Sequence, residues 1–436
     1  MARRRTTITL NVYLNSRLVG RLTRRPSGAV EFRYDPSWLE WEHALPVSLS
    51  LPLREDRYTG EPVNAVFDNL LPDSVEIRRR LARRARAKGE DAFSMLAAIG
   101  RDCVGALQFL PEGVDPGQAG LVDGRQVDED DVVRILNDLG QAPLGLDEEG
   151  EFRISIAGAQ EKTALLWWGR DWYVPHGATP TTHILKPPIG VLPNGIDLSR
   201  SVENEYMCMR FLAELGLPVA RTAIRNFGGQ PTLVIERFDR RWTKDGRLLR
   251  LPQEDCCQAL SIPPTLKYEP DGGPGIQSIM ELLKASDEPH TDQRTFCSAQ
   301  IAYWLLGATD GHAKNFSIFL APGARFHLTP LYDVMSAQPN VDSGQIRHGR
   351  MKLAMAVGNN RHYRIDEIMP RHFIQTAAAC GVAEEMIEGI IENLARAVPD
   401  ALRRTIDQLP ADFPDELTES IAGGIERRMA QLSDGG

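Results

Sequence analysis

The apolar residues of this chain change their spacing along its length, and that change limits the folds open to it. Ile8, Leu10, Val12 and Leu14 alternate, Asn15-Ser16 supplies a turn, and Leu18, Gly20 and Leu22 resume the period of two. Val30, Phe32 and Tyr34 repeat the pattern after Pro26-Ser27-Gly28, so this opening stretch reads as β structure. From Asn64 to about Ala98 the pattern turns helical, with Asp73 and Glu76 spaced like a capping box, and a strand follows at Gly105 to Leu110. The Gly- and Pro-punctuated stretch from Pro111 to Gly120 marks a boundary. A short acidic helix (Glu129 to Leu139) and the stretch Gly140 to Gly150 lead into a second region. That region begins with strands at Phe152 to Ile156, Thr163 to Trp168, Trp172 to Val174 and His183 to Lys186. A helix is expected at Ser201 to Leu215, then strands near Val219 to Ile224 and Thr232 to Phe238. After Gln253 the pattern is mostly helical, with one strand pair at Phe316 to Leu320 and Arg325 to Leu328. A β-rich lobe followed by a helical lobe is the plan of a kinase-like fold, although a fold plan alone does not establish function.

At 436 residues the chain exceeds one ordinary core, so two or three lobes are expected. No stretch approaches the ~20 consecutive apolar residues that span a bilayer. The basic start, Met1 to Arg5, runs into alternating Thr6 to Leu14, which is a strand pattern and not a signal peptide. Six cysteines lack metal-type spacing and read as reduced, buried thiols, which implies a cytoplasmic protein. A net charge of −9 argues against a protein that coats nucleic acid by itself. One run disagrees: Arg78, Arg79, Arg80, Arg83, Arg84, Arg86 and Lys88, interleaved with Ile77, Leu81 and Ala85 at every fourth position. It reads as the solvated face of an amphipathic helix, with an acidic partner or DNA as the alternative.

Phosphoryl transfer needs few parts: groups that hold phosphates, carboxylate and amide ligands for Mg²⁺, and a carboxylate that orients the attacking hydroxyl. Asp310-Gly311-His312-Ala313-Lys314-Asn315 follows an apolar helix and precedes an apolar strand, and its Asp and Asn stand five residues apart. That spacing matches the kinase loop in which the Asp takes the hydroxyl proton and the Asn binds metal, though both residues are also common turn formers. Eighteen residues on, Tyr332-Asp333 follows a short strand and offers a second Mg²⁺ ligand, or else an N-cap for the segment at Val334. Upstream, Thr182 to Lys186 is a strand ending in a lysine that could meet ATP phosphates, with Glu203 or Glu205 as its partner. Leu233 to Asp239 looks like a linker between lobes whose backbone could pair with adenine. Within Arg153 to Lys162, the small residues Ala157-Gly158-Ala159 permit close backbone approach to phosphate oxygens. A β-hairpin turn is the bland alternative there.

Several longer motifs agree in order with one family. Arg153 to Lys162, Leu251 to Asp255, Asp271-Gly272-Gly273-Pro274-Gly275 and Gly307 to Phe316 resemble HipA, the kinase toxin family of bacterial toxin–antitoxin pairs. Phe67 to Ser74 and Ile99-Gly100-Arg101-Asp102 are similar to the family's N-terminal domain. The resemblance implies an α+β, two-lobed kinase-like fold of the phosphoinositide-kinase type, with an N-terminal β/α domain and a mostly helical C-terminal lobe. The implied parts are an N-terminal domain at 1–115, a connecting segment at 116–150, an ATP-binding lobe at 151–252 and a catalytic lobe at 253–436.

By the same resemblance the phosphate loop corresponds to Ala157, Gly158, Ala159, Gln160, Glu161 and Lys162, and the ATP-binding lysine to Lys186. The adenine hinge corresponds to Glu236, Arg237 and Phe238, and the catalytic residue to Asp310. Further ATP contacts fall on His312, Ala313, Lys314, Asn315, Tyr332 and Asp333, with Asn315 and Asp333 holding Mg²⁺. Ser155 matches a serine whose autophosphorylation ejects the loop and silences the enzyme. The implied substrate is glutamyl-tRNA synthetase, whose modification halts translation and brings growth arrest and persistence. The implied partner is a HipB-type helix-turn-helix antitoxin dimer, with which the chain would act as a co-repressor at operator DNA and associate with the nucleoid. One stretch departs from the family: Gln375 to Gly381 carries no cation where a relative touches operator DNA, so DNA is expected mainly through the antitoxin. A catalytically idle co-repressor and a small-molecule or lipid kinase are the competing readings.

Overall fold

A computed structural model describes residues 6–140, 158 and 160–433. The chain forms two compact units. The first comprises 1–187, 225–265 and 318–326, and the second 188–224, 266–317 and 327–436.

The first unit carries two main sheets. One orders its five antiparallel strands as Tyr58–Thr59, Val30–Tyr34, Arg17–Arg24, Ile8–Leu14 and Leu107–Pro111. Alternation puts Leu10, Val12, Leu22 and Phe32 on a buried face. Phe67, from the helix Glu61–Asp68, packs between Phe32 and Phe109 with ring centroids 5.6 and 5.5 Å apart. In the second sheet the strands Gln230–Glu236, His183–Lys186, Thr163–Trp168, Asp171–Pro175 and Gly124–Val127 lie side by side in that order.

The helical run expected from Asn64 to Ala98 is three helices: Glu61–Asp68, Val75–Arg84 and Ala92–Ile99. Two local caps break it. Ser74, not Asp73, accepts the Ile77 amide at 3.3 Å, and Asp91 accepts the Ser94 amide at 3.0 Å. The acidic helix is Glu129–Asn137 with a 3₁₀ turn at Asp138–Gly140. The strand expected at Phe152 to Ile156 lies outside the described residues.

In the second unit the helix Pro289–Leu306 is buried along most of its length, from Phe296 to Leu306. Gly307 ends it in the left-handed region (φ +67°), a C-cap that only a glycine adopts without strain. Ile276–Leu283, Pro370–Ala379, Glu384–Asp407 and Asp415–Ser433 pack on this helix, and Ser201–Glu214 packs on Glu384–Asp407. Arg428, from Asp415–Ser433, donates to the Leu305 carbonyl at 2.8 Å and to Gln338 Oε1 at 2.8 Å. A buried guanidinium thus satisfies a carbonyl that the helix end would leave open.

Candidate active site

The loop after Gly307 holds the two side chains that the spacing singles out, Asp310 and Asn315. Gly311 lies on the ring of Tyr303, where a Cβ would come within 2.6 Å of Cδ2, so the loop tolerates nothing larger there. The backbone then closes on itself: His312 N–H donates to the Asp310 carbonyl at 2.8 Å, and Asn315 N–H to the His312 carbonyl at 2.9 Å. Asn315 Nδ2 donates to the Asp310 carbonyl at 2.7 Å. Asn315 is therefore a turn former, with the nitrogen end of its amide turned towards the loop backbone. The Asp310 side chain is half exposed, whereas that of His312 is buried, with Nε2 3.7 Å from Asp310 Oδ1.

Asp333 adopts φ +60°. Aspartate is among the few residues that occupy this left-handed region, and such outliers gather at functional sites. It is not the N-cap of a helix beginning at Val334, because the next helix is Gln338–Asp342, capped by Ala337. Neighbours on both sides hold its segment. Leu331 bridges Val219, and Asn204 exchanges two hydrogen bonds with the Ser336 backbone, each 2.8 Å. Tyr332 OH donates to the Lys314 carbonyl at 2.8 Å and lies 2.6 Å from Ser317 Oγ, tying the segment to the Asp310–Asn315 loop. Tyr303 is buried beneath, and burial together with the Asp333 carboxylate pushes its hydroxyl well above the usual phenol range.

A carboxylate and an amide oxygen are hard donors of the kind Mg²⁺ prefers. Among the described residues no group of three or more His, Cys, Asp or Glu could hold an ion alone. A Mg²⁺ that draws its remaining ligands from phosphates and water fits this sparse set.

The described residues of the expected phosphate loop and hinge, and Lys186, belong to the first unit. Ser155, Ala157 and Ala159 lie outside the described residues. Gly158 (φ +113°) bridges Pro72, and its carbonyl accepts the Asp73 amide at 3.0 Å. A Cβ on Gly158 would stand 2.5 Å from Lys162 Nζ, so the bare backbone lets a buried ammonium sit against the loop. Gln160 Nε2 donates to the Pro187 carbonyl at 3.1 Å, and Glu161 pairs with Arg80. Lys186 is buried at a strand end, opposite Leu233. In the second unit Glu205 is buried, and Glu203 pairs with Arg200 at 3.0 Å.

The hinge sequence does something that sequence reasoning missed. The Arg237 N–H donates to the Thr182 carbonyl at 2.8 Å, and its guanidinium turns inward. There Arg237, Arg240 and Arg250 surround Asp102 at 3.3, 2.9 and 3.0 Å, while Asp239 pairs with Arg237 at 2.8 Å and Arg240 at 3.0 Å. Thr181 Oγ1 donates to Asp102 at 2.7 Å. All five charged groups are buried. The only trace in the sequence is a dense set of charges, Arg237, Asp239 and Arg240, directly after the apolar strand Leu233 to Ile235. Of the hinge residues, Glu236 is exposed and Phe238 meets Phe319 edge-on at 5.8 Å.

A paired Asp and Asn on a tight loop, with a second Asp in a left-handed conformation, is an arrangement compatible with a phosphotransferase of the protein-kinase kind. Comparison with known proteins narrows this class. The family model for the HipA N-terminal domain matches residues 10–110, and that for the HipA-like C-terminal domain matches residues 154–402. The chain belongs to the HipA family and is a serine/threonine protein kinase. It is 35% identical to the putative kinase Y4mE of Sinorhizobium fredii, over 97% of this chain and 99% of that one. It is 28% identical to the serine/threonine-protein kinase toxin HipA of Shewanella oneidensis, over 94% of this chain and 92% of that one. HipA from the Shewanella oneidensis MR-1 complex with HipB and operator DNA shares the fold, with a TM-score of 0.81, 24% identity and 98% coverage of both chains. The expected α+β kinase-like fold is therefore the fold observed. Among the described residues no helix is long and apolar enough to cross a membrane.

Proposed function

We propose that this chain is a kinase toxin that transfers phosphate from Mg-ATP to serine in glutamyl-tRNA synthetase, stopping translation and inducing growth arrest and persistence. The observation that carries the reading is the half-exposed Asp310 carboxylate, fixed on a loop that also orients Asn315. When bound, ATP supplies the phosphoryl group and Mg²⁺ spreads its charge. Asp310 orients the substrate hydroxyl and accepts its proton. Asn315 Oδ1 and the Asp333 carboxylate hold the metal. His312 to Asn315 and Tyr332 contact the nucleotide, while Gly158, Gln160, Glu161, Lys162 and Lys186 serve its phosphates and Glu236 to Phe238 its adenine. Ala157 and Ala159 complete the phosphate loop. The working parts run as 1–115, 116–150, 151–252 and 253–436, and the family matches at 10–110 and 154–402 support that division.

Regulation in this reading has two layers. A HipB-type antitoxin dimer restrains the kinase and carries it to operator DNA as a co-repressor. The Shewanella oneidensis relative, solved with HipB and operator DNA, supports this partnership. The second layer is Ser155, where a phosphate adds ~1.5 to 2 negative charges beside a loop meant for anions and so repels ATP. Intact-mass analysis tests both halves. Wild type incubated with Mg-ATP should gain a phosphate that the Ser155→Ala and Asp310→Asn proteins lack. Transfer to the synthetase should fall ~10²–10⁴-fold in Asp310→Asn, the usual worth of a positioned proton acceptor. Near-wild-type transfer by Asp310→Asn would remove Asp310 from the mechanism, and a phosphate gained by Ser155→Ala would remove the self-inactivation.

A further inference from the structure

The motif Asp271-Gly272-Gly273-Pro274-Gly275 has no part in the chemistry above, yet its geometry leads to the catalytic loop. Glu269–Asp271 forms a 3₁₀ turn closed by Gly272 at φ +96°. The Asp271 and Gly273 amides both donate to the Tyr268 carbonyl, at 3.1 and 3.0 Å. A Cβ on Gly273 would stand 1.9 Å from the Leu266 carbonyl oxygen, and one on Gly275 would stand 2.5 Å from the Glu269 carboxylate. Backbone packing therefore requires glycine at 273, while a side chain at 275 would displace the Glu269 carboxylate. Glu269 is itself anchored, accepting the Ala356 amide at 2.6 Å and pairing with Arg361 at 3.0 Å.

The result is a rigid knuckle whose product is the placement of one side chain. Tyr268 OH donates to Asp310 Oδ1. The Tyr268 ring meets His312 edge-on, with centroids 4.7 Å apart and planes at 84°. His312 Nε2 faces that same carboxylate oxygen at 3.7 Å. The Ala313 amide donates to the Lys267 carbonyl at 3.4 Å, so backbone as well as side chain joins the knuckle to the loop.

We propose that Tyr268 is a positioning residue that clamps Asp310 Oδ1, so that Oδ2 is the oxygen presented to the substrate hydroxyl. The proposal rests on the reading of Asp310 as the proton acceptor. A half-exposed carboxylate without such a clamp rotates among its rotamers, and misplacement of a catalytic group lowers turnover without touching nucleotide affinity. Tyr268 needs no contact with substrate or ATP to act in this way.

The test uses the full-length chain and measures loss of the γ-phosphate of Mg-ATP to every acceptor present: the chain itself, added glutamyl-tRNA synthetase and water. Four proteins are compared: wild type, Tyr268→Phe, Asp310→Asn and the double variant. Tyr268→Phe should lower kcat roughly 10- to 100-fold, the worth of a hydrogen bond to a charged group. KM for ATP and the thermal unfolding midpoint should stay at their wild-type values. In the Asp310→Asn background the same substitution should cost nothing further, because the clamped group is gone. If Asp310→Asn is as active as wild type, the reading of the site fails and the clamp with it. If Asp310→Asn is impaired but Tyr268→Phe is not, only the clamp is overturned. Independent, additive losses would likewise overturn it, since Tyr268 would then act elsewhere.

Discussion

Asp102 and Asp310 are both held by hydrogen bonds, yet their surroundings are opposite in kind. Asp102 is buried among three arginines, which hold its carboxyl well below the usual range against the desolvation that burial imposes. Its capacity is used up by permanent cations. Asp310 is half exposed, and it meets a tyrosine hydroxyl and a histidine that is charged only when protonated. A carboxylate that must take a proton and release it cannot be locked to a fixed cation. One that fastens distant chain segments together gains from being so locked. Asp102 stands 135, 138 and 148 residues from the three arginines it binds. On the proposed reading of Asp310, strength of pairing separates architecture from chemistry within one chain.

The comparison breaks first at Asp102. Replacing it with Asn leaves Arg237, Arg240 and Arg250 buried around a neutral amide, with Asp239 as their remaining carboxylate in the cluster. Removing one partner from a buried ion cluster costs about 3–5 kcal/mol. Asp102→Asn should therefore lower the denaturant midpoint sharply and lose activity through loss of fold. A cost below ~1 kcal/mol would show that the cluster is not fastening anything. The sign of the pH effect is also set. Because the folded form holds this carboxyl depressed, its stabilisation is present above the unfolded pKa and lost as pH falls through the folded value. The variant should lack that acid-range component.

Glu254 tests the converse case, a buried carboxyl with neutral partners. It accepts the Leu49 amide at 2.8 Å, and burial pushes it up to about 8. Its proton is bound more tightly in the folded state, so the stability it contributes is complete below about pH 4.5. It drains away as pH rises towards about 8. Glu254→Gln keeps an acceptor for Leu49 and removes the titration. Unfolding measured at pH 6 and pH 8.5 should show the variant gaining on wild type at the higher pH, by on the order of 1–3 kcal/mol. Parallel pH profiles for the two proteins would mean that Glu254 is already ionised in its pocket.

These contrasts also mark what the sequence makes legible. The Asp310–Asn315 pair can be read because a six-residue loop carries its own geometry, and the helix before it ends at a glycine. Lys186 can be read as the end of a strand for the same local reason. The Asp102 cluster and Tyr268 cannot, because each depends on tertiary proximity across 42 residues or more. The stretch from Asn64 to Ala98 is helical as expected, but its division into three helices is not legible in the apolar spacing. Ile77 and Leu81 keep helical spacing between the caps at Ser74 and Asp91, and apolar periodicity alone does not register where those caps divide the run. Arg237 shows the limit of motif reading. Its place in a hinge-like sequence is clear, but whether a guanidinium turns inward depends on Asp102 and Asp239.

The smallest expected effects lie in the arginine-rich helix, where the sequence suggests one uniform solvated face. The structure grades it instead. Arg78 turns inward: Nη1 donates to Asp68 Oδ1 at 2.6 Å, Nη2 to the Asp68 carbonyl at 3.2 Å, and Nε to the Pro72 carbonyl. Asp68 ends the helix Glu61–Asp68, so this guanidinium meets backbone carbonyls at a helix C-terminus. Arg79 faces out and pairs with Glu90 at 3.3 Å, with both side chains about half exposed. Arg78→Ala should cost about 1–2 kcal/mol and change little with salt, since it leaves partly buried acceptors unpaired. Arg79→Ala should cost no more than ~0.5 kcal/mol, and ~1 M salt should erase even that. Equal, salt-sensitive losses at both positions would show that the helix is a uniform charged face after all. The grading of charge by burial, from Asp102 outwards, would then end at the first unit's interior.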